Sequence, residues 1–146
     1  MRELPRQLTA DELADLFEGR TALVERLAEV ENPLVRAEEV IATMTEAEKL
    51  EALAAHPAIG ARRGLSARSA AEQGAGDAPE VLAELAELNR RYEDRFGFRF
   101  VVFVDRRPKA EIVPVLRKRL ERSRDDELET ALSELVAIAR DRWQRG

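Results

Sequence analysis

The sequence predicts an all-α protein, in which residues 1–146 form a single compact domain of about seven or eight helices. Through most of the chain, apolar residues recur at the three- and four-residue spacing that places them on one buried helix face. Two capping boxes add recognisable helix starts. Only residues 98–104 have the composition of a strand, and this stretch is expected to be an extended connector or one arm of a hairpin.

Four helices are predicted in the first part of the chain. Their expected bounds, by residue number, are 10–18, 22–31, 33–44 and 46–55. The first and the fourth follow the capping boxes that begin at Thr9 and Thr45. Pro33 is placed to be the first residue of the third helix. Pro57 disfavours helical geometry at His56, so the fourth helix should end there.

The second part of the chain predicts further helices around the strand-like stretch. Their expected bounds are 67–73, 79–95, 109–122 and 126–143. A hairpin arm at residues 98–104 would need a partner, and only residues 111–115 offer one. Pro114 interrupts that segment, because proline removes a backbone donor. The hairpin and the buried, extended connector therefore both remain open at this point.

Composition excludes several classes of function. The formal net charge of −5 and the pI of about 5.1 argue against nucleic-acid binding. The absence of cysteine excludes disulfides and thiolate sites, and a single histidine excludes a multi-histidine metal site. No apolar run approaches the roughly 20 residues that span a bilayer, and the first residues lack the apolar core of a signal peptide. We therefore expect a cytoplasmic protein without nucleic-acid or membrane partners.

The histidine and a short polar cluster are the first candidates for chemistry. His56 is interpreted either as a helix-terminal residue, favoured by the helix dipole, or as a general acid–base. Ser69, Glu72 and Gln73 fit a capping box, since Ser-x-x-Glu is its pattern. If the helix begins near residue 67, the same three side chains would share one face and point into one volume.

Two polar residues interrupt apolar helix stripes. Arg142 extends the apolar seam of the last predicted helix. It is interpreted either as a snorkelling end residue or as a guanidinium that binds an anion at the edge of the core. Asn89 interrupts the stripe of the helix at 79–95, and a buried amide there needs a partner, for which the backbone of residues 98–104 is our candidate. These candidates would suit proton transfer on a small anionic substrate if they converge in the fold. They are a histidine, a glutamate, a serine, a glutamine and an arginine.

Four motifs in order give the sequence a resemblance to a known family. They are HPAIG at 56–60, SAAEQ at 69–73, LNRRYEDRFGFRFVVFV at 88–104 and ELVAIARDRW at 134–143. In order and spacing they resemble the motifs of the 2-oxo-4-hydroxy-4-carboxy-5-ureidoimidazoline (OHCU) decarboxylase family of urate degradation. The resemblance implies an all-α fold that is usually a homodimer. It also implies decarboxylation of OHCU to (S)-allantoin without any cofactor or metal.

The resemblance further implies a role for each matched residue. His56 and Glu72 correspond to the central catalytic pair, and Ser69 and Gln73 to donors that bond the heterocycle or the ureido group. Arg142 corresponds to the residue that binds an anionic or carbonyl oxygen of the substrate.

The remaining matched residues would shape the pocket. Pro57 and Ile59 correspond to its wall, and the main chain of Phe100, Val101 and Val102 to a ligand contact. Two other readings of the sequence stay open. One is a lyase or decarboxylase for a related ureido or imidazoline acid, and the other is a helical interaction module without catalytic activity.

Overall fold

The structure is a computed structural model that describes residues 3–59 and 78–146, and within these residues it is built of helices. The helices are α1 (Ala10–Phe17), α2 (Ala22–Leu27), α3 (Pro33–Ala42), α4 (Glu46–Ala54), α5 (Pro79–Phe96), α6 (Lys109–Arg119) and α7 (Arg124–Arg145). These seven helices, with no strand in the part of the chain described, confirm the predicted all-α class. The short helix predicted at 67–73 lies outside the described residues.

The capping boxes form as predicted, and most helix ends lie within three residues of their expected places. Helix α2 is the exception, because it ends at Leu27 where the sequence predicts an end near residue 31. The amides of Glu29 and Val30 bond to carbonyls three residues earlier, at 3.1 and 3.2 Å, so the chain tightens into turns. Asn32 then takes a left-handed conformation, with φ of 53°, before α3 begins.

Helix α7 begins earlier than predicted because of a serine. The amide of Asp126 donates to Oγ of Ser123 at 3.1 Å, and the amide of Glu127 donates to the Ser123 carbonyl at 3.0 Å. Ser123 therefore serves as an N-cap, and the helix begins at Arg124 instead of residue 126.

The strand-like stretch at 98–104 is an extended connector. No strand is assigned there, and the only candidate hairpin partner, at 111–115, lies inside α6, so of the two alternatives the hairpin is wrong and the connector is found. Pro114 lies in the second turn of that helix and leaves the carbonyl of Ala110 without its usual intrahelical donor. The connector is buried along most of its length, which requires other partners for its peptide groups.

The chain divides into two compact units, and each has its own apolar core. The first comprises Met1–His56 and Leu132–Gly146, and the second comprises Pro57–Ala131. The core of the first unit is mainly aliphatic and includes Leu13, Leu16, Leu23, Leu27, Leu34, Leu53, Leu135 and Val136. The core of the second unit combines aliphatic side chains with an aromatic cluster and includes Leu85, Tyr92, Phe96, Phe98, Phe100, Ile112 and Leu116. The single domain predicted from the sequence stays a prediction.

The capping box of α4 predicts a specific acid dependence of stability. A hydrogen bond from the Thr45 amide, at 3.0 Å, and the nearby charge of Arg26 hold the pKa of Glu48 below its ordinary value of 4.5, although desolvation opposes them. A carboxyl whose pKa is lowered by folding stabilises the fold above its unfolded pKa. That stabilisation is lost as the pH falls through the folded pKa.

We expect Glu48→Gln to remove this acid dependence while keeping the capping hydrogen bond, which glutamine also makes. Urea unfolding of both proteins, between pH 7 and pH 3, would check the expectation. The difference in their free energies of unfolding should be constant above about pH 5 and should shrink below it. A difference that does not change over this range would contradict the expectation.

Candidate functional site

His56 lies just beyond the last turn of α4. Its amide donates to the carbonyl of Leu53 at 3.2 Å, and the helix itself ends at Ala54. The residue is 5% exposed and its Nε2 atom is buried. The C-terminal carbonyls of a helix favour a cation next to them, and a histidine is the side chain most often used as a general acid–base. The position is compatible with both interpretations of His56.

The polar cluster of the prediction lies outside the described residues. Ser69, Glu72 and Gln73 belong to the segment 60–77, so their predicted roles stay predictions.

Arg142 is buried near the end of α7. Only 2% of the residue is exposed, so its head group does not reach water as the snorkelling interpretation requires. Nη1 donates to the carbonyl of Leu16 at 3.1 Å, and Nη2 lies 3.0 Å from a carboxylate oxygen of Glu18. Both partners stand at the C-terminal end of α1, where a cation is favourable. The end of α1 therefore contacts both terminal nitrogens of the guanidinium.

Helix α5 fixes the predicted pocket wall at Ile59. Nδ2 of Asn89 donates to the Ile59 carbonyl at 3.1 Å, and both residues are buried. The prediction that Asn89 bonds the backbone of residues 98–104 is therefore wrong. The amide side chain instead holds the chain three residues after His56, while the neighbouring Pro57 is half-buried.

One turn further along α5, Tyr92 holds the extended connector. Its ring centroid lies 5.2 Å from that of Phe100, in an edge-on arrangement. Phe100, Val101 and Val102 are all buried. Since Asn89 and Tyr92 are neighbours on one helix face, α5 supports both Ile59 and Phe100, two of the predicted ligand-contacting positions.

Arginine side chains bind the carbonyls of the connector. Nη1 of Arg119 donates to the Val101 carbonyl at 2.8 Å, and the same guanidinium lies 4.6 Å from the centre of the Phe100 ring. Arg107 donates to the carbonyls of Phe103 and Val104, at 2.5 and 2.9 Å. Within the part of the chain that the structure describes, no backbone–backbone hydrogen bond reaches residues 100–103. Side chains thus take the place of a neighbouring strand.

A buried carboxylate anchors this arrangement. Glu127 is fully buried and accepts hydrogen bonds from Tyr92 at 2.5 Å, from Arg119 at 2.7 Å and from Arg122 at 2.7 Å. Burial, followed by the hydrogen bond to Glu127, raises the pKa of the Tyr92 hydroxyl well above its ordinary value. Tyr92 is therefore neutral at physiological pH and serves as a donor to the carboxylate.

Sequence reasoning missed the pair of Arg119 and Glu127, although their spacing gave a signal. Glu127 lies four residues before the buried Ala131, and Arg119 lies three residues after the buried Leu116. Each charge therefore falls on the apolar face of its helix, where burial requires a partner of opposite charge.

The described residues contain no group of three histidine, cysteine, aspartate or glutamate side chains that could hold a metal ion. Of the seven helices described, none has the length and apolar character needed to cross a membrane.

A family model described as OHCU decarboxylase matches residues 2–144, nearly the whole chain. The chain belongs to the OHCU decarboxylase family. This finding confirms the resemblance that the four sequence motifs indicated.

Two relatives and one solved structure illustrate the membership. The OHCU decarboxylase of Haloferax volcanii is 31% identical over 88% of this chain and 83% of its own length. The uric acid degradation bifunctional protein PucL of Bacillus subtilis is 31% identical over 97% of this chain, which spans only 31% of that protein. A crystal structure of an OHCU decarboxylase in the presence of (S)-allantoin has a TM-score of 0.75, with 26% identity over 90% of this chain and 94% of the other.

Proposed function

We propose that this OHCU decarboxylase family member converts OHCU to (S)-allantoin and CO₂, and thereby acts as a carboxy-lyase of urate degradation. The observation that carries the proposal is the position of the chain's single histidine. His56 is buried directly after α4, at the place where the family motif His-Pro-x-[Leu/Ile]-Gly begins. Family membership over residues 2–144 supplies the reaction class.

The reaction can proceed on the functional groups of the substrate itself. The bond between the hydroxyl-bearing ring carbon and the carboxylate breaks, CO₂ leaves, and the electron pair forms a C=C bond to the neighbouring ureido-bearing carbon, while the C=N nitrogen takes up a proton. The hydroxyl then loses its proton as a carbonyl forms, and the C=C electron pair takes up a proton on one face of the ureido-bearing carbon. The protein must therefore stabilise negative charge on the heterocycle and move protons.

The residues of the site divide these tasks. His56 moves protons, with Glu72 as its carboxylate partner, because histidine is the most frequent general acid–base. Arg142 stabilises an anionic or carbonyl oxygen of the substrate, as a fixed cationic donor can. Ser69 and Gln73 hydrogen-bond the heterocycle or the ureido group.

The extended connector supplies further contacts. Peptide groups in an extended segment point alternately to its two sides, and the Val101 carbonyl is already bound by Arg119. The peptide groups of Phe100 and Val102 make no backbone–backbone hydrogen bond among the described residues. A planar heterocycle with amide-like edges is the kind of ligand that such groups bind, and Pro57 and Ile59 provide an apolar wall.

We also propose the wider setting that the resemblance implied. The protein acts as a cytoplasmic homodimer on a small-molecule substrate, without cofactor, metal, nucleic acid or membrane. The acidic net charge of −5 supports the absence of a nucleic-acid partner.

A circular dichroism time course tests the function directly. Freshly generated OHCU decays unaided to racemic allantoin, so ellipticity reports both the rate and the handedness of the reaction. We expect a rapid (S)-allantoin signal in the presence of the protein and none with buffer alone. A folded protein that leaves the decay unchanged would refute the proposed function and direct attention to related ureido acids.

A further inference from the structure

The backbone of Glu18 has an unusual conformation for its residue type. Glu18 follows the last residue of α1 with φ of 67° and ψ of 24°, the left-handed conformation. Its amide donates to the carbonyl of Ala14, as the residue after a helix commonly does. Glycine is the usual choice here, because a Cβ atom crowds the backbone in this region. Glycine stands instead at the next position, 19.

The side chain of Glu18 makes a contact that glycine could not make. Its carboxylate is only 12% exposed and lies 3.0 Å from Nη2 of Arg142. A buried guanidinium needs a compensating negative charge, and Glu18 provides one. The unfavourable backbone conformation is therefore coupled to a buried ion pair.

Two contacts from one helix end define the orientation of this guanidinium. Glu18 binds Nη2, while the Leu16 carbonyl accepts from Nη1 at 3.1 Å. Because the guanidinium is planar and rigid, contacts at both terminal nitrogens fix its plane as well as its place. Leu16 and Glu18 lie two residues apart at the end of α1, so one helix end contacts both terminal nitrogens of Arg142.

A second arginine of α7 offers a direct comparison. Arg140 also pairs with a carboxylate of another helix, Glu38 at 2.8 Å, and donates to two of its carbonyls, Leu34 at 2.7 Å and Val35 at 3.4 Å. Its side chain is 33% exposed and that of Glu38 is 50% exposed, against 2% and 12% for Arg142 and Glu18. Glu38 lies within α3 and has no positive φ. Among the described ion pairs of α7, only the pair of Arg142 and Glu18 is both buried and attached to a residue with positive φ. Arg142 is also the arginine with a proposed substrate role.

From these observations we propose that Glu18 is a positioning residue for OHCU binding, which fixes the guanidinium of Arg142 in the orientation that the substrate oxygen needs. The inference rests on the proposed function, because that function assigns the substrate contact to Arg142. Glu18 acts through Arg142 and not on the substrate.

The test compares steady-state kinetics on freshly generated OHCU for wild type, Glu18→Gln, Glu18→Ala and Glu18→Gly. We expect Glu18→Ala and Glu18→Gly to raise KM roughly 10-fold or more, with kcat changed much less, since misplacement of a binding group weakens substrate contact. Glu18→Gln should recover part of the loss, because its amide oxygen can still accept from Nη2.

The Glu18→Gly variant distinguishes a positioning role of Glu18 from an effect on the stability of the fold. Glu18→Gly relaxes the left-handed backbone that Glu18→Ala retains, so the glycine variant should be the more stable of the two in urea unfolding. If Glu18 positions Arg142, both variants have a similarly raised KM despite their different stabilities. If KM instead follows stability, or stays within about twofold of wild type, the proposal is overturned.

Two controls distinguish this proposal from the proposed function. Glu38→Gln removes the charge of the comparable pair at Arg140 and should leave KM unchanged. Arg142→Lys keeps the charge but loses the planar contacts and should raise KM at least as much as Glu18→Ala. An active wild type whose KM is insensitive to Arg142→Lys overturns the positioning proposal alone. An inactive, folded wild type refutes the proposed function, and the role of Glu18 falls with it.

Discussion

Replacing His56 with alanine should lower kcat for OHCU by roughly 10²–10⁴-fold while the protein still folds, because this is the usual contribution of a general acid–base. His56→Gln should lose as much, since it keeps polarity and most of the volume but cannot take up a proton. The loss should appear in kcat more than in KM, as expected for a group that acts in the transition state. Circular dichroism assays of (S)-allantoin formation would measure both parameters.

The His56 result needs a control for the removal of a buried polar residue. Thr21 is 6% exposed and caps α2 through its side chain, which accepts from the Val24 amide. Thr21→Ala should destabilise the protein by about 1 kcal/mol and leave kcat unchanged. A folded His56→Ala protein with wild-type kcat would remove His56 from the mechanism and favour a helical module without catalytic activity.

Replacing Glu127 with glutamine should reduce the free energy of unfolding by about 3–5 kcal/mol, the usual effect of breaking a buried ion pair from one side. The substitution keeps the shape of the side chain but leaves the buried Arg119 without its counter-ion. For a chain of this size the loss corresponds to a decrease in Tm of roughly 6–20 °C. Thermal and urea unfolding, monitored by helical circular dichroism, would measure it.

An exposed ion pair made by α6, the helix that carries Arg119, provides the matched control. Arg117 of α6 pairs with Glu84 of α5, and both side chains are largely in water. Glu84→Gln should change the free energy of unfolding by less than about 1 kcal/mol, because solvent screens such pairs. If Glu127→Gln were as mild as Glu84→Gln, Glu127 would not be the anchor of the connector.

Helix starts and buried faces could be predicted from the sequence because they depend on nearby residues. Thr9 and Thr45 bond to glutamates three residues ahead, and Pro33 begins a helix through its own ring. The early end of α2 and the early start of α7 were missed, since they depend on the turn before Asn32 and on the cap at Ser123. These are weak local signals that compete with the helical pattern.

The partners of the polar residues could not be predicted in the same way. Asn89 bonds Ile59, which lies 30 residues away, and Arg142 bonds Leu16, which lies 126 residues away. Periodicity places each of them on a buried face but carries no information about which atoms the fold brings there. For Asn89 the prediction was wrong for this reason.

The sequence by itself therefore determined the all-α class and the family, and it supplied the residues to which the proposed chemistry is assigned. The tertiary structure decided that an extended connector replaces a hairpin, that Arg119 and Glu127 support it, and that Glu18 binds Arg142. The physical reason is the range of the interactions. Capping and helical periodicity act within about one turn of the chain, whereas a buried charge finds its partner only when packing brings distant segments together.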